Sequence, residues 1–229
     1  MFTKRLGRAV RCASAVALLV VALPAASAQA AADTSQFSVL AGSLSFDAAP
    51  DMPAFAQVTL NGQSQNATAQ MSSWTVTDST GTGSGWNVTV QGDSGVGKSA
   101  VFKEYCTDPA ATNGCDTAVA GGVGPGYVTA SPETLAANSL ALSSTGAAFT
   151  ALNGSTGTAP THQCDTSCNV DTASPVKIGS GAVNAGMGNW RADTYAVSSA
   201  SLAVPTTVKA MTGNKVYRVD LTWSINSGP

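Results

Sequence analysis

Apolar and polar residues alternate in short runs along most of the chain. In the longest run Tyr217, Val219, Leu221, Trp223 and Ile225 share one parity, and Arg218, Asp220, Thr222 and Ser224 share the other. That period of two predicts a strand with one buried and one wet face. A turn at 211–215 precedes it, and 204–211, whose Pro205 suits an edge or a strand start, supplies the partner of a predicted closing hairpin. Trp74 and Val76, then Trp86, Val88 and Val90, flank the glycine-rich stretch 79–85 and predict a second hairpin. Weaker strand signals lie at 37–46, 55–60, 139–149 and 195–204. About eight strands result, which predicts an all-β fold, an antiparallel two-layer sandwich. Residues 103–181, rich in Gly, Pro, Asp and Asn, read as long disulfide-tied loops around a few strands of the same domain. The one short helix candidate is 99–105.

The amino end reads differently. Lys4, Arg5, Arg8 and Arg11 precede an apolar run at 13–26, and small residues follow at 26–30. This is the three-part pattern of a secretory signal peptide, with cleavage expected after Ala30 or, as the alternative, after Ala28. Residues 1–30 are then the removed signal, and 31–229 form a single β-rich domain. The apolar run is shorter than the ~20 residues of a membrane span, and no second run of that length follows, so no membrane span is expected in the mature chain. Beyond residue 30 the chain carries seven basic and thirteen acidic side chains. This acidic balance argues against nucleic acid as a partner, and against simple electrostatic attachment to anionic polymers.

Cys12 falls within the signal, which leaves Cys106, Cys115, Cys164 and Cys168. In an oxidising compartment an even number predicts two disulfides. Of the three possible pairings, local closure favours Cys106–Cys115 and Cys164–Cys168. A rival reading makes His162, Cys164 and Cys168 zinc ligands, but exported thiols oxidise and the spacing is not that of a finger or ribbon. No metal and no cofactor is expected.

Two motifs invite catalytic readings. Gly92-Asp93-Ser94-Gly95-Val96-Gly97-Lys98-Ser99 fits the phosphate-loop pattern, which requires a long helix behind the loop in an α/β unit. The surrounding β pattern predicts a glycine-rich turn instead. Gly92-Asp93-Ser94-Gly95 also matches the surroundings of a serine nucleophile, which needs a histidine base and a carboxylate to orient it. The chain has one histidine, His162, which reads as an exposed loop residue. An exported serine hydrolase using Ser94 and His162 is therefore the remotest of the functional readings, and no catalytic residue is assigned. Asp47 with Asp51, and Asp165 with Asp171, lie in turn-like stretches and lack the ligand spacing of a calcium loop.

The carboxyl-terminal run Tyr217-Arg-Val-Asp-Leu221-Thr222-Trp223-Ser-Ile225-Asn-Ser-Gly-Pro229 resembles the distal motif of the WxL domain of Gram-positive surface proteins. Ile225 stands where that family has Leu. The segment from Trp74 through Asp78 and Gly81 to Trp86-Asn87-Val88 is similar to the proximal motif, with Val88 in place of Leu and Thr80 where an arginine is common. The resemblance implies a secreted, non-catalytic protein at the cell surface, held non-covalently to the bacterial cell wall through peptidoglycan or a wall-associated protein partner. Shared inward parity predicts that Trp86, Val88, Tyr217, Leu221, Trp223 and Ile225 pack the core, and Thr222 and Pro229 complete the motif. Ligand contacts would then come from loop residues, with Trp190 and Arg191 in the glycine-bounded stretch 187–191 and Tyr127 after Gly126 as candidates. A second reading is a structural subunit that builds a surface polymer by β-strand pairing.

Overall fold

The computed structural model describes residues 34–108 and 125–229. Within Met1–Val39, a unit of its own, residues 34–39 are exposed and carry no regular structure. Leu40–Pro229 is a second unit, and the strands of the described residues lie in it. No helix occurs among the described residues. In chain order the strands are β1 (Leu44–Ala48), β2 (Gln65–Ala69), β3 (Trp74–Asp78), β4 (Trp86–Gly92), β5 (Lys103–Cys106), β6 (Gly126–Tyr127), β7 (Leu140–Leu142) and β8 (Ala148–Leu152). They continue with β9 (Thr161–His162), β10 (Cys168–Asn169), β11 (Val176–Gly181), β12 (Gly188–Asp193), β13 (Ala200–Val204), β14 (Lys215–Arg218) and β15 (Leu221–Ser227). The all-β antiparallel expectation holds. Six strands of two to four residues account for most of the excess over eight, because pieces that short carry too few alternations to register as a pattern.

Four antiparallel sheets result, ordered β1-β3-β12-β8, β10-β7-β13-β2, β15-β4-β11-β9 and β14-β5-β6. The first and third lie face to face. Trp74 on β3 meets Phe149 on β8 edge-on at 5.4 Å, and Trp86 on β4 meets the same ring at 6.1 Å. Gly179 on β11 sits beneath them, where an added Cβ would lie 3.1 Å from the Trp74 ring and 3.3 Å from Phe149. The absence of a side chain there lets the β11 backbone approach the aromatic layer. At the sides of this pair β1 lies beside β15, and β8 beside β9. The second sheet adds Ala67, Leu140, Leu142, Leu202 and Val204 to the same apolar cluster. The fully buried indoles of Trp74 and Trp86 both find acceptors, the Tyr195 hydroxyl and the Gly186 carbonyl, each at 2.9 Å.

Both predicted hairpins are corrected. β3 pairs with β1 and β12, whereas β4 pairs with β15 and β11, so residues 79–85 cross between the facing sheets. Gly85 makes the crossing possible: its φ is +76°, and a Cβ would lie 2.4 Å from the Gly181 carbonyl oxygen. The carboxyl-terminal run breaks at Val219-Asp220, and its halves pair with β5 and β4, not with 204–211. Alternation reports which face of a strand is buried and leaves its neighbour open.

Local readings also change. Residues 99–105 form no helix and enter β5. The stretch 139–149 divides into β7 and the start of β8, which belong to different sheets, and 55–60 is irregular. The Cys164–Cys168 disulfide forms as expected, which removes the zinc reading of those thiols. Cys115 of the other expected bridge lies outside the described residues, as does the signal segment 1–30.

Candidate functional site

The two sequence motifs, far apart in the chain, become neighbours. β15 runs antiparallel to β4 with Ser227 opposite Trp86, Ile225 opposite Val88 and Trp223 opposite Val90. The join is sealed beyond the strands. The Gly228 amide donates to the Gly85 carbonyl at 2.9 Å, and the Asn87 side-chain amide donates to the Gly228 carbonyl at 2.7 Å. Trp86 and Val88 are fully buried, and Leu221, Trp223 and Ile225 are half-buried against the same core because β15 is a sheet edge. Tyr217 on β14 is half-buried and donates its hydroxyl to the Lys209 carbonyl at 3.0 Å. Thr222 donates to Asp93 at 2.8 Å, and Pro229 is exposed. The motif is thus largely a packing device.

At the sealed end the crossing loop displays hydroxyls. Asp78 accepts from the Thr80 hydroxyl at 2.7 Å, and the hydroxyls of Thr80, Thr82, Ser84 and Ser227 follow one another at 3.1, 2.9 and 3.1 Å. Thr82, Ser84 and Ser227 are exposed. An ordered row of this kind presents donors and acceptors to a polar partner without a net charge.

The loop candidates are corrected. Trp190 lies on β12, 4% exposed, with its indole N–H on the Met187 carbonyl at 2.9 Å. Its neighbour Arg191 faces the outside and pairs with Asp193 at 2.9 Å. Glycines on either side of 187–191 suggest a loop, but residues 188–193 alternate in burial and take a central place in the first sheet. Tyr127 is also buried, on β6. Its hydroxyl donates to Asp220 at 2.5 Å and its ring meets Tyr105 edge-on at 5.0 Å. Burial pushes the Tyr127 phenol well above its ordinary value, and the adjacent Asp220 carboxylate adds to the rise. Asp220 also accepts from the Ser99 amide at 3.0 Å and from Arg218 at 2.8 Å, so it fixes the break between β14 and β15.

The two catalytic-looking motifs have structural roles. Asp93 accepts from Lys98, the Gly95 amide and Thr222, and these bonds hold its carboxyl down at about 2. Lys98 is thereby tied to its own loop, and the chain beyond Ser99 runs extended into β5. Ser94 is exposed in that loop. His162 lies elsewhere, on β9 opposite Gly179, and is not an exposed loop residue. Its ring stacks on Phe149 at 4.4 Å and meets Tyr195 edge-on at 5.6 Å, with both ring nitrogens buried and, among the described residues, without a hydrogen-bond partner. Burial pushes its pKa below the ordinary value, and nearby Ala148 backbone, Asp165 and Asp193 oppose the shift in part. Asp171 is fully buried and accepts from the amides of Ser139 and Leu140 at 2.9 and 3.0 Å, which makes it a backbone cap.

One feature has no sequence signal. Residues 70–73 and 193–195 line an open cleft of about 390 Å³. Thr194 at its rim has φ of +58°, a conformation that costs a β-branched residue about 1–3 kcal/mol. Its hydroxyl donates to the Gly146 carbonyl at 3.2 Å, and the Gln70 side chain donates to the Tyr195 carbonyl across the cleft. The lining residues are common types from two distant short connections, so neither connection marks itself. No family model, curated protein or solved structure matches the chain.

Proposed function

We propose that the protein is a secreted, non-catalytic cell-surface module that attaches non-covalently to the bacterial cell wall, either to peptidoglycan or to a wall-bound protein. The observation that carries this reading is the pairing of β4 with β15, which sets the Trp86-Asn87-Val88 end of the first WxL-like segment against residues 225–227 of the second. Burial of Trp86, and half-burial of Trp223 at the edge, fit a role in which the motifs build the scaffold and exposed polar positions make contacts. Incubation with insoluble peptidoglycan sacculi is the direct test. Saturable sedimentation supports the reading, and a folded protein that stays in solution with sacculi, both with and without wall polymers, removes direct wall recognition.

One feature favours a second reading, assembly by strand addition. Among the described residues the outer side of β15 is hydrogen-bonded to no strand over its seven residues, although β1 lies near it. Concentration-dependent oligomers in sedimentation velocity, lost on placing proline within β15, would move the function to a surface polymer.

A further inference from the structure

The cleft between residues 70–73 and 193–195 has a size and a lining that bear on what it could hold. Its volume, about 390 Å³, falls in the range of roughly 300–1,000 Å³ typical of small-molecule sites. The floor is rigid. Met71 and Tyr195 are buried, the Met71 amide donates to the Ser199 hydroxyl at 2.9 Å, and the Tyr195 hydroxyl accepts from the Trp74 indole. The walls are tied together by the Gln70 side chain, and the rim residue Thr194 is held in its left-handed conformation from outside, by Gly146. A site held this way keeps its shape before a ligand arrives.

The lining selects by charge. Asp193 is the one ionisable carboxylate there, and it is already engaged by Arg191 at 2.9 Å and by the Thr150 hydroxyl at 3.1 Å. One carboxylate that is already paired gives a bare cation too few ligands. It also gives an anion no excess positive charge. Ser72 and Ser73 are exposed, and among the described residues their hydroxyls make no hydrogen bond within the protein. A ligand that both donates and accepts hydrogen bonds and carries no charge satisfies these groups.

We infer that this cleft is a subsite for a neutral saccharide. The inference rests on the wall-attachment reading and names where a glycan would be held, yet the two fail separately. The test titrates the isotopically labelled protein with a β-1,4-linked disaccharide of N-acetylglucosamine, with inorganic phosphate and calcium as charged controls, and follows backbone amide shifts. Saturable shifts confined to residues 70–73 and 193–195 and their neighbours, and lost in Ser73→Trp, are the expected result. Ser73 is exposed, so this variant blocks the cleft and is expected to keep the wild-type melting temperature. Absence of shifts at the highest soluble sugar concentration, shifts mapping elsewhere, or the same cleft shifts with phosphate or calcium would each overturn the subsite. Sedimentation with sacculi that persists without sugar-induced shifts leaves wall attachment standing and the cleft rejected. Cleft shifts without sedimentation keep the saccharide subsite and reject direct wall attachment.

Discussion

Trp190 shows how a single side chain changes meaning between sequence and structure. Beside Arg191 and among glycines it resembles a contact residue, but at 4% exposure and with its indole N–H satisfied it is part of the core. Trp190→Ala is accordingly expected to lower the unfolding free energy by about 3–5 kcal/mol, measured by urea denaturation. A variant of wild-type stability would return Trp190 to the surface. His162 is informative in another way, because it is the chain's one histidine and other side chains with ordinary pKa values do not titrate between pH 7 and 5. Its folded pKa is lowered by burial, so on acidification the unfolded chain takes up a proton first, near 6.5, and the native state loses stability. The contribution is fully present above the unfolded value and is lost as pH falls towards the folded one. The melting temperature should therefore drop between pH 7 and 5 in the wild type, and that slope should flatten in His162→Leu.

The crossing loop and the disulfide act on whole elements. Gly81 and Gly85 both have positive φ, +67° and +76°, but a Cβ at Gly81 meets nothing within 4 Å whereas one at Gly85 runs into the Gly181 carbonyl. Gly81→Ala should cost only the left-handed backbone strain, about 1–2 kcal/mol. Gly85→Ala should cost clearly more, because the join between β4 and the turn after β11 must shift. Equal denaturation midpoints for the two variants would show that the loop does not bear on the β4–β11 packing. Cys164 follows β9 of the third sheet and Cys168 opens β10 of the second, and their bridge closes a loop of only a few residues. The loop-entropy relation gives such a short closure about 2 kcal/mol. Replacing both cysteines by serine should reduce stability by that order in the same denaturation experiment, with the fold retained.

For the molecule as a whole, the carboxyl-terminal strand closes the structure. β15 covers the open side of β4 along its entire length, and Leu221, Trp223 and Ile225 pack against the central cluster. Deleting residues 221–229 should leave β4 as an unpaired edge with an incomplete core, and near-ultraviolet circular dichroism should show the loss of fixed tertiary packing. A native-like spectrum with a cooperative thermal transition would show that β15 is an accessory strand.

The pattern of residues settled the all-β class, the inward parity of Trp74, Val76, Trp86, Val88 and Val90, and the local Cys164–Cys168 bridge. These depend on side-chain period and short chain separation, both of which can be read in one dimension. Partner choice could not be read that way. β3 and β4 look like a hairpin until the other strands compete for their edges, and β14 and β15 look like one strand until Asp220 is drawn into the bonds of Tyr127, Ser99 and Arg218. The cleft was invisible for the same reason, since residues 70–73 and 193–195 meet only because β3 and β12 pair. Sequence determined which faces are buried, and only the tertiary structure decided which faces and edges meet, because pairing is a competition among distant segments for the same hydrogen-bonding edges and the same core.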